Sequence, residues 1–414
     1  MIFRYVPIKI STSVFPVANT AYFCTMYSLE ILLREWERLW TAGWDWQKVL
    51  FAAFSAALLI QLLYYWLFYF RLSLYKVKNN IYTAERKPVS VVIAARDEYR
   101  NLLDNLPAIL EQDYPKFEVI VVNNESTDDS QSLLKNFQLQ YPHLRVINLE
   151  KNYNFIKGKK FPLSIGIRAA KYDTLLFTDA DCIPSSPHWI NHMQSAFNQK
   201  TGIVLGVGQY QPGKGLLNLL IRYETFFVSQ QYLSYALAQI PYMGVGRNLA
   251  YRKSLFLSQK GFISHYNIPG GDDDLFVNRA STETGVDIQI HPDSFTISRP
   301  ATSFRKYFIQ KRRHFSTAQY YRPVHRWLLG LFTATQLLFW IFLAGLIAAG
   351  GFLLLALSGL LIRWISQVII NKTSGKKTGF QILFVFSPVL ELLLLGIHTA
   401  VYSANIFRKP GRWR

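Results

Sequence analysis

Asp179-Ala180-Asp181 closes the uncharged run Thr174-Leu175-Leu176-Phe177. A short apolar strand that stops in two carboxylates one residue apart delivers both acids to the carboxyl edge of a sheet, where open α/β sheets bind their ligands. Hard oxygen donors there suit Mg²⁺ or Mn²⁺ bridging a diphosphate. Taken alone, the pair also fits a solvated acidic turn. A second acidic group, Gly270-Gly271-Asp272-Asp273-Asp274-Leu275, sets three consecutive acids after two glycines. That pattern fits a solvated turn, a metal site, or a base whose proton affinity is raised by its neighbours. Two basic groups accompany the acids. Lys157-Gly158-Lys159-Lys160 clusters lysines around a glycine, and Gln310-Lys311-Arg312-Arg313-His314 spaces Gln310 and Arg313 three residues apart. On a helix, that spacing puts both on one face.

These groups need a scaffold, and the intervening sequence supplies one. Val89-Ser90-Val91-Val92-Ile93-Ala94-Ala95 is an uncharged, β-branched run, as expected of a parallel strand buried on both faces. Leu102, Leu103, Leu106, Ile109 and Leu110 recur at helical spacing until Tyr114-Pro115, and Phe117 to Val122 forms a second strand-like run. A helix over 130–139, a strand over 144–149, a helix over 161–170 and the strand reaching Asp179 continue the alternation. Alternation of this kind implies a mostly parallel sheet with helices on both faces.

The order of the strand-end segments is specific: A-A-R-D-E, then V-V-N-N-E-S-T-D-D, then K-G-K-K, then D-A-D. Residues 86–320 resemble the family 2 glycosyltransferases in this order. The resemblance implies a Rossmann-like nucleotide-sugar-binding domain of the GT-A type, with Mg²⁺ or Mn²⁺ as cofactor. Carried over by position, it sets Ala94 and Glu98 against the nucleoside. Asn123 and Asn124 stand where an acid accepts a bond from the base; an amide oxygen still accepts, without charge assistance, and Asp128 or Asp129 offers a substitute. Lys159 matches a lysine near the nucleotide, Asp179 belongs to both donor and metal sites, and Asp181 is the main metal ligand. Gly244-Val245-Gly246-Arg247-Asn248 resembles a loop beside the acceptor. Asp272 takes the position of the catalytic base, with Asp273 the runner-up and Gly271 where glutamate is usual. Gln310 and Arg313 match the Q-x-x-R-W motif of membrane-integrated members, to hold the diphosphate and the acceptor end, with His314 replacing tryptophan.

Half of the 414 residues are hydrophobic and only 17% are charged, a balance unusual for a soluble enzyme. Residues 49–70 carry no charge and are long enough to cross a hydrocarbon core of ~30 Å. A second apolar block, 327–370, interrupted by Ala348-Ala349-Gly350-Gly351 and by Arg363, reads as a hairpin of two spans, and 380–407 as a last span containing Pro388 and Glu391. Residues 1–48 form a lead segment. Met26 offers an alternative start, leaving Leu29, Leu32, Leu33 and Trp36 as an amphipathic lead-in. Gly206 to Met243 is aromatic and amphipathic, fitting helices at a membrane interface or an ordinary buried helix pair. Cys24 and Cys182 give neither a disulfide framework nor a metal cluster.

The net charge of +19 fits nucleic acid, anionic lipid or anionic substrates, and the spans decide against nucleic acid. Arg71, Lys76 and Lys78 follow the first span, and Arg312, Arg313, Arg322 and Arg326 precede the second. The positive-inside bias therefore sets the glycosyltransferase domain, 71–326, in the cytoplasm of an integral inner-membrane protein. The bias then conflicts with itself. Lys372, Lys376 and Lys377 precede the last block and Arg408, Lys409, Arg412 and Arg414 follow it, and both groups cannot be inside if that block crosses once. The expected function is an inverting transfer from a UDP- or GDP-sugar to a lipid-linked or polysaccharide acceptor. The alternative is a non-catalytic membrane protein that binds nucleotide or divalent metal for regulation or transport, with Asn123-Asn124 as its best support.

Overall fold

The computed structural model describes residues 16–41, 43–77, 85–150 and 158–407. Lys78, Lys157, the basic residues 408–414 and the start of the lead segment lie outside these, as do the side chains of Cys24 and Met26. The chain divides into two units, residues 1–60 with 335–363, and residues 61–334 with 364–414.

The lead segment holds a single 25-residue helix, α1 (Pro16–Trp40), in place of a short lead-in. Next come α2 (Trp46–Leu63), a π-helical stretch Tyr64–Tyr69, and α3 (Phe70–Leu74), one continuous apolar run over Trp46–Leu74. The expected βα alternation follows. It comprises β1 (Val89–Ala95), α4 (Tyr99–Leu110), β2 (Phe117–Asn124), α5 (Ser130–Gln140), β3 (Leu144–Leu149), α6 (Lys160–Ala169) and β4 (Thr174–Phe177). Then come β5 (Cys182–Pro184), α7 (Trp189–Ser195), β6 (Thr201–Leu205), β7 (Gly208–Tyr210), α8 (Leu216–Leu237), β8 (Leu249–Arg252), α9 (Lys253–Ser258), α10 (Asp274–Ala280), β9 (Gly285–Ile288) and β10 (Thr296–Ser298). The remaining helices are α11 (Phe304–Phe315), α12 (Pro323–Ala349), α13 (Leu353–Lys377) and α14 (Ser387–Phe407).

Seven strands form the main sheet in the order β3-β2-β1-β4-β8-β6-β9. Its ladders are parallel except those made by β8. Every residue of β1 is buried, which explains its lack of charge. Leu102, Leu106 and Ile109 of α4 pack against it in one core that also takes in Trp189, Ile190 and Met193 of α7. A small sheet, β5-β10-β7, extends the fold.

Three expectations are corrected. Gly206 to Met243 forms no helix pair; it contributes β7 and the single helix α8, whose aromatic residues Tyr223, Phe226, Tyr232 and Tyr235 are buried. Arg363 does not interrupt a helix: α13 runs through it, and its guanidinium packs on Phe339 at 4.8 Å. The break between the hairpin's helices falls at residues 350–352, where Gly350 takes φ +62°. In the last block α14 begins only at Ser387, with Pro388 in its first turn, where proline costs no hydrogen bond. Among the described residues, four helical runs are long and apolar enough to cross a membrane: Trp46–Leu74, Pro323–Ala349, Leu353–Lys377 and Phe384–Phe407. Within the first unit, Phe54, Ala57, Phe339, Leu343, Leu346 and Ala356 form a core of their own.

Candidate functional site

The winding of the main sheet reverses at β1: β2 and β3 lie on one side, and the chain returns to β4 on the other. A reversal of this kind opens a crevice at the carboxyl ends of the strands. Asp179 and Asp181 stand there, just beyond β4. β8 runs antiparallel to β4 with Leu249 opposite Phe177, which brings Arg247 to the same edge, where its carbonyl accepts from Thr178 Oγ1 at 3.0 Å.

Lys159, at the start of α6, places Nζ 2.7 Å from Asp179 Oδ1. Burial opposes both charges, but the pairing outweighs it, lowering the Asp179 pKa and raising that of Lys159. Lys159 therefore braces the acid pair. Burial, and then Asp179, push the Asp181 carboxyl up. A pair of carboxylates so close, one of them short of positive charge, suits a cation. Asp179, Asp181 and Cys182 offer ligand atoms within 4.8 Å of one another. Burial raises the Cys182 thiol well above its usual range, so it stays protonated and leaves two hard oxygen ligands. This donor chemistry fits Mg²⁺ or Mn²⁺.

The three consecutive acids have different tasks. Asp273 accepts from the amides of Gly246 at 2.8 Å and Asp274 at 2.7 Å, capping α10 and fastening it to the Gly244–Asn248 loop. Asp274 accepts from Tyr321 OH at 2.7 Å and from Thr317 Oγ1. Asp272 is the remaining acid: among the described residues its carboxylate accepts no hydrogen bond from another residue. Burial raises its pKa, opposed first by Lys159. Gly271 has φ +85°, and a Cβ there would come 2.5 Å from Leu275 Cδ1. A glutamate at that position would be strained by this backbone and would have to displace the Leu275 side chain. Lys160 Nζ reaches the other way, donating to the carbonyls of His265 and Ile268 at 2.5 and 2.6 Å, and so ties down the segment that leads to Asp272.

Gln310 and Arg313 share a face of α11, as their spacing predicts. Gln310 Nε2 donates to Tyr210 OH at 3.2 Å, and the Arg247 guanidinium lies over the same ring at 4.3 Å. Arg313 is half-buried, its Nε has no acceptor, and no carboxylate pairs with it among the described residues. His314 keeps solvent access, yet enclosure by the cleft, then Lys311 and Arg313, push its imidazole down to about 3. It adds no charge at neutral pH.

Beyond the carboxyl ends of β1 and β2, a cavity of about 460 Å³ is lined by Glu98, Tyr99, Asp129 and Arg299, among others. Glu98 is raised chiefly by burial and feels Asp181, Lys159 and Asp179, so it adjoins the acid pair. Ala94 is buried in β1 opposite Val122. Asn123 is buried; its Nδ2 donates to Asn148 Oδ1 at 2.9 Å, while its own Oδ1 is left without a donor. Asn124 is half-buried at the end of β2. Asp128 is committed to the amides of Tyr99 and Ser130, which leaves Asp129 as the free acid of that loop.

Sequence reasoning missed Tyr210, and it placed Arg247 only in a loop beside the acceptor and not next to Asp179. It also missed Thr317 and Tyr321, which restrain Asp274. No short-range pattern marks them, because each meets the site through the sheet or helix packing. A further cluster, His192, His291 and Asp293, is no ready metal cage. The imidazoles stack at 3.9 Å and 11°, so their lone pairs lie side by side instead of converging, and His291 Nδ1 accepts the Asp293 amide at 3.3 Å.

Behind the site, buried Glu224 of α8 joins Lys311 Nζ at 2.6 Å, His398 Nε2 at 2.8 Å and Tyr307 OH. Burial would raise this carboxyl, but Lys311 and His398 outweigh it and hold it at about 2. Removing one member of a buried pair strands the other, at ~3–5 kcal/mol. Glu224→Ala is therefore expected to lower the thermal midpoint clearly in detergent, and an unchanged midpoint would show the cluster to be dispensable. Because the folded pKa is depressed below the ordinary ~4.3, this stabilisation is full above that value and drains as pH falls toward about 2.

Residues 90–258 match the model of the Glycosyl transferase family 2. Glycosyltransferase AglE of Haloferax volcanii is 28% identical over 217 residues, 50% of this chain and 64% of AglE. A poly-beta-1,6-N-acetyl-D-glucosamine synthase of Staphylococcus epidermidis is 28% identical over 95 residues, 23% of this chain and 22% of the synthase. The match thus spans less than two thirds of either relative. Among solved structures, the mannosyltransferase PcManGT from Pyrobaculum calidifontis, in complex with GDP-Man and Mn²⁺, is similar at a TM-score of 0.58. It is 20% identical, with 87% of this chain and 98% of that one covered, and what the two share is the GT-A-type fold.

Proposed function

From the premise that the chain carries a glycosyl transferase family 2 domain, we propose that it is a membrane-integrated, inverting glycosyltransferase that uses a UDP- or GDP-sugar. Its acceptor is a lipid-linked or growing polysaccharide hydroxyl at the cytoplasmic face. The observation that carries this reading is the disposition of acids: a cation-seeking pair, Asp179 and Asp181, braced by Lys159, with Asp272 left unengaged beside them. A protein that only binds nucleotide or metal has no use for the free carboxylate.

In the reaction, the acceptor oxygen forms a bond to the anomeric carbon as the bond from that carbon to the diphosphate breaks. The acceptor's proton passes to Asp272. A divalent ion held by Asp179 and Asp181 would supply positive charge for the departing diphosphate. Arg313 and Arg247 add fixed charge, with Arg247 held over the Tyr210 ring, whose hydroxyl accepts from Gln310. Asn123 Oδ1, a buried acceptor without a donor, supports binding of a base N–H. The poly-beta-1,6-N-acetyl-D-glucosamine synthase relative supports a polysaccharide acceptor. Four apolar helices and the basic flanks of the first and second spans support the cytoplasmic placement.

The test is mass spectrometry of lipid and polysaccharide extracts from cells with and without the chain, followed by assay of the purified protein with UDP- and GDP-sugars. A glycosylated product that requires the chain is expected; matching extracts and a protein inert to every donor would overturn the reading. Arg313→Ala is expected to reduce transfer by ~10²–10³-fold while donor affinity changes little, since its charge matters most as the diphosphate departs. Equal losses in donor affinity and turnover would reassign Arg313 to ground-state binding.

A further inference from the structure

We infer that α14 does not cross the membrane but lies in its plane, on the side of the catalytic domain, with one face sewn to that domain and the other docked on lipid. The inference rests on the membrane reading above and concerns how the last apolar helix is used.

Both ends of α14 are held by catalytic-domain residues. The segment leading into it is fixed by Gln209 of β7, which donates to Thr378 O at 2.6 Å, and by Arg222 of α8, which donates to Gln381 O at 2.9 Å. At its first residue, Ser387 O accepts from Tyr223 OH of α8 at 3.3 Å. At its far end, Asn405 Oδ1 accepts from Arg312 Nε at 2.9 Å, and Asn405 Nδ2 donates back to Arg312 O at 3.0 Å. α11, which carries Arg312, holds Arg305, Lys306, Lys311 and Arg313 as well and directly precedes the span beginning at Pro323. A helix so basic belongs at the water boundary. A 21-residue helix is ~31 Å long, about the thickness of the hydrocarbon core. To cross, α14 would have to put its ends on opposite surfaces, yet both are bound to one domain.

The helix is also two-faced in the manner this requires. Ser387, Glu391, His398 and Asn405 fall on one stripe, and each is bonded: to Asn371, Gln367, Glu224 and Arg312 respectively. The opposite face exposes Val389, Leu392, Leu393 and Phe407, an apolar surface suited to the headgroup–acyl boundary. The charge conflict in the sequence then disappears. Lys372, Lys376 and Lys377 before α14 and Arg408, Lys409, Arg412 and Arg414 after it lie on the same, positive side. Three candidate spans remain. α14 thereby fastens α11, with Gln310 and Arg313, at the height of a membrane-borne acceptor.

The test uses the full chain in native membranes. Phe407→Cys and Leu139→Cys sit at exposed positions, at the end of α14 and on the catalytic domain. Both are expected to react with an impermeant maleimide from the same side of oriented vesicles; reaction from opposite sides overturns the inference. If both react from the outer side, the cytoplasmic placement fails while this inference stands. A spin label at Leu393→Cys, mid-helix, is expected ~5–10 Å deep, and a depth at the bilayer centre, ~15 Å, would also overturn it.

Discussion

Asp272→Asn is expected to lower transfer by ~10²–10⁴-fold, the usual contribution of a positioned base, while donor binding and thermal stability remain close to those of the parent protein. The expectation of preserved stability comes from the site itself. Asp272 accepts no bond from another residue among those described, so the amide breaks nothing and relieves repulsion with Asp273. The neighbouring acids behave oppositely. Asp273→Asn disturbs the bonds to the Gly246 and Asp274 amides, and Asp274→Asn those from Thr317 and Tyr321. Those two variants should lose stability first and activity as a consequence. Comparing turnover with the melting midpoint across the three separates the assignments. If Asp273→Asn keeps its midpoint but loses all turnover, while Asp272→Asn stays active, the base is Asp273.

How far the sequence reached is clear from these residues. β1 and β4 were legible because each, buried on both faces, has to be a short uncharged run; β2 carries Glu118 and β3 carries Arg145 and is only partly buried, so these two were read from the alternation with the helices. Asp179 and Asp181 follow from the end of β4, whereas Lys159 and Asp272 came only from the family resemblance. The division of labour within Asp272-Asp273-Asp274 was not legible, since it depends on which backbone amides and hydroxyls the fold brings to each carboxylate; Gly246 and Tyr321 are far from them in sequence. Arg247 was legible only as part of the Gly244–Asn248 loop: the antiparallel pairing of β8 with β4 is what sets it at the edge that carries Asp179 and Asp181. The expectation of helices over Gly206 to Met243 misread aromatic content as interfacial character. In α8 most of those rings are covered by other helices, and hydropathy does not distinguish protein from lipid as the cover.

The second large effect concerns Asp181. Asp181→Asn is expected to reduce transfer by at least ~10²–10³-fold, the scale of a lost charge-stabilising group, and to weaken binding of Mn²⁺ measured by the loss of its free-ion EPR signal. The two acids of the pair should not be equivalent. Asp179 already has a cation, Lys159 at 2.7 Å, whereas Asp181 has only the weak Cys182 thiol donor at 3.5 Å and a proton affinity raised by burial and by Asp179. Asp181 thus has the most to gain from a divalent ion, and its neutral amide should cost more Mn²⁺ affinity than Asp179→Asn does. Asp179→Asn carries a different signature. It frees Lys159 in a site with fewer acids, so donor affinity should hold or rise through the phosphates even as turnover falls. Treatment with EDTA should bring the parent protein to the level of Asp181→Asn and leave that variant unchanged. Full activity in EDTA, or an Asp181→Asn protein that turns over at the parent rate, would remove the divalent ion from the mechanism and leave Lys159, Arg247 and Arg313 as the only charges opposing the diphosphate.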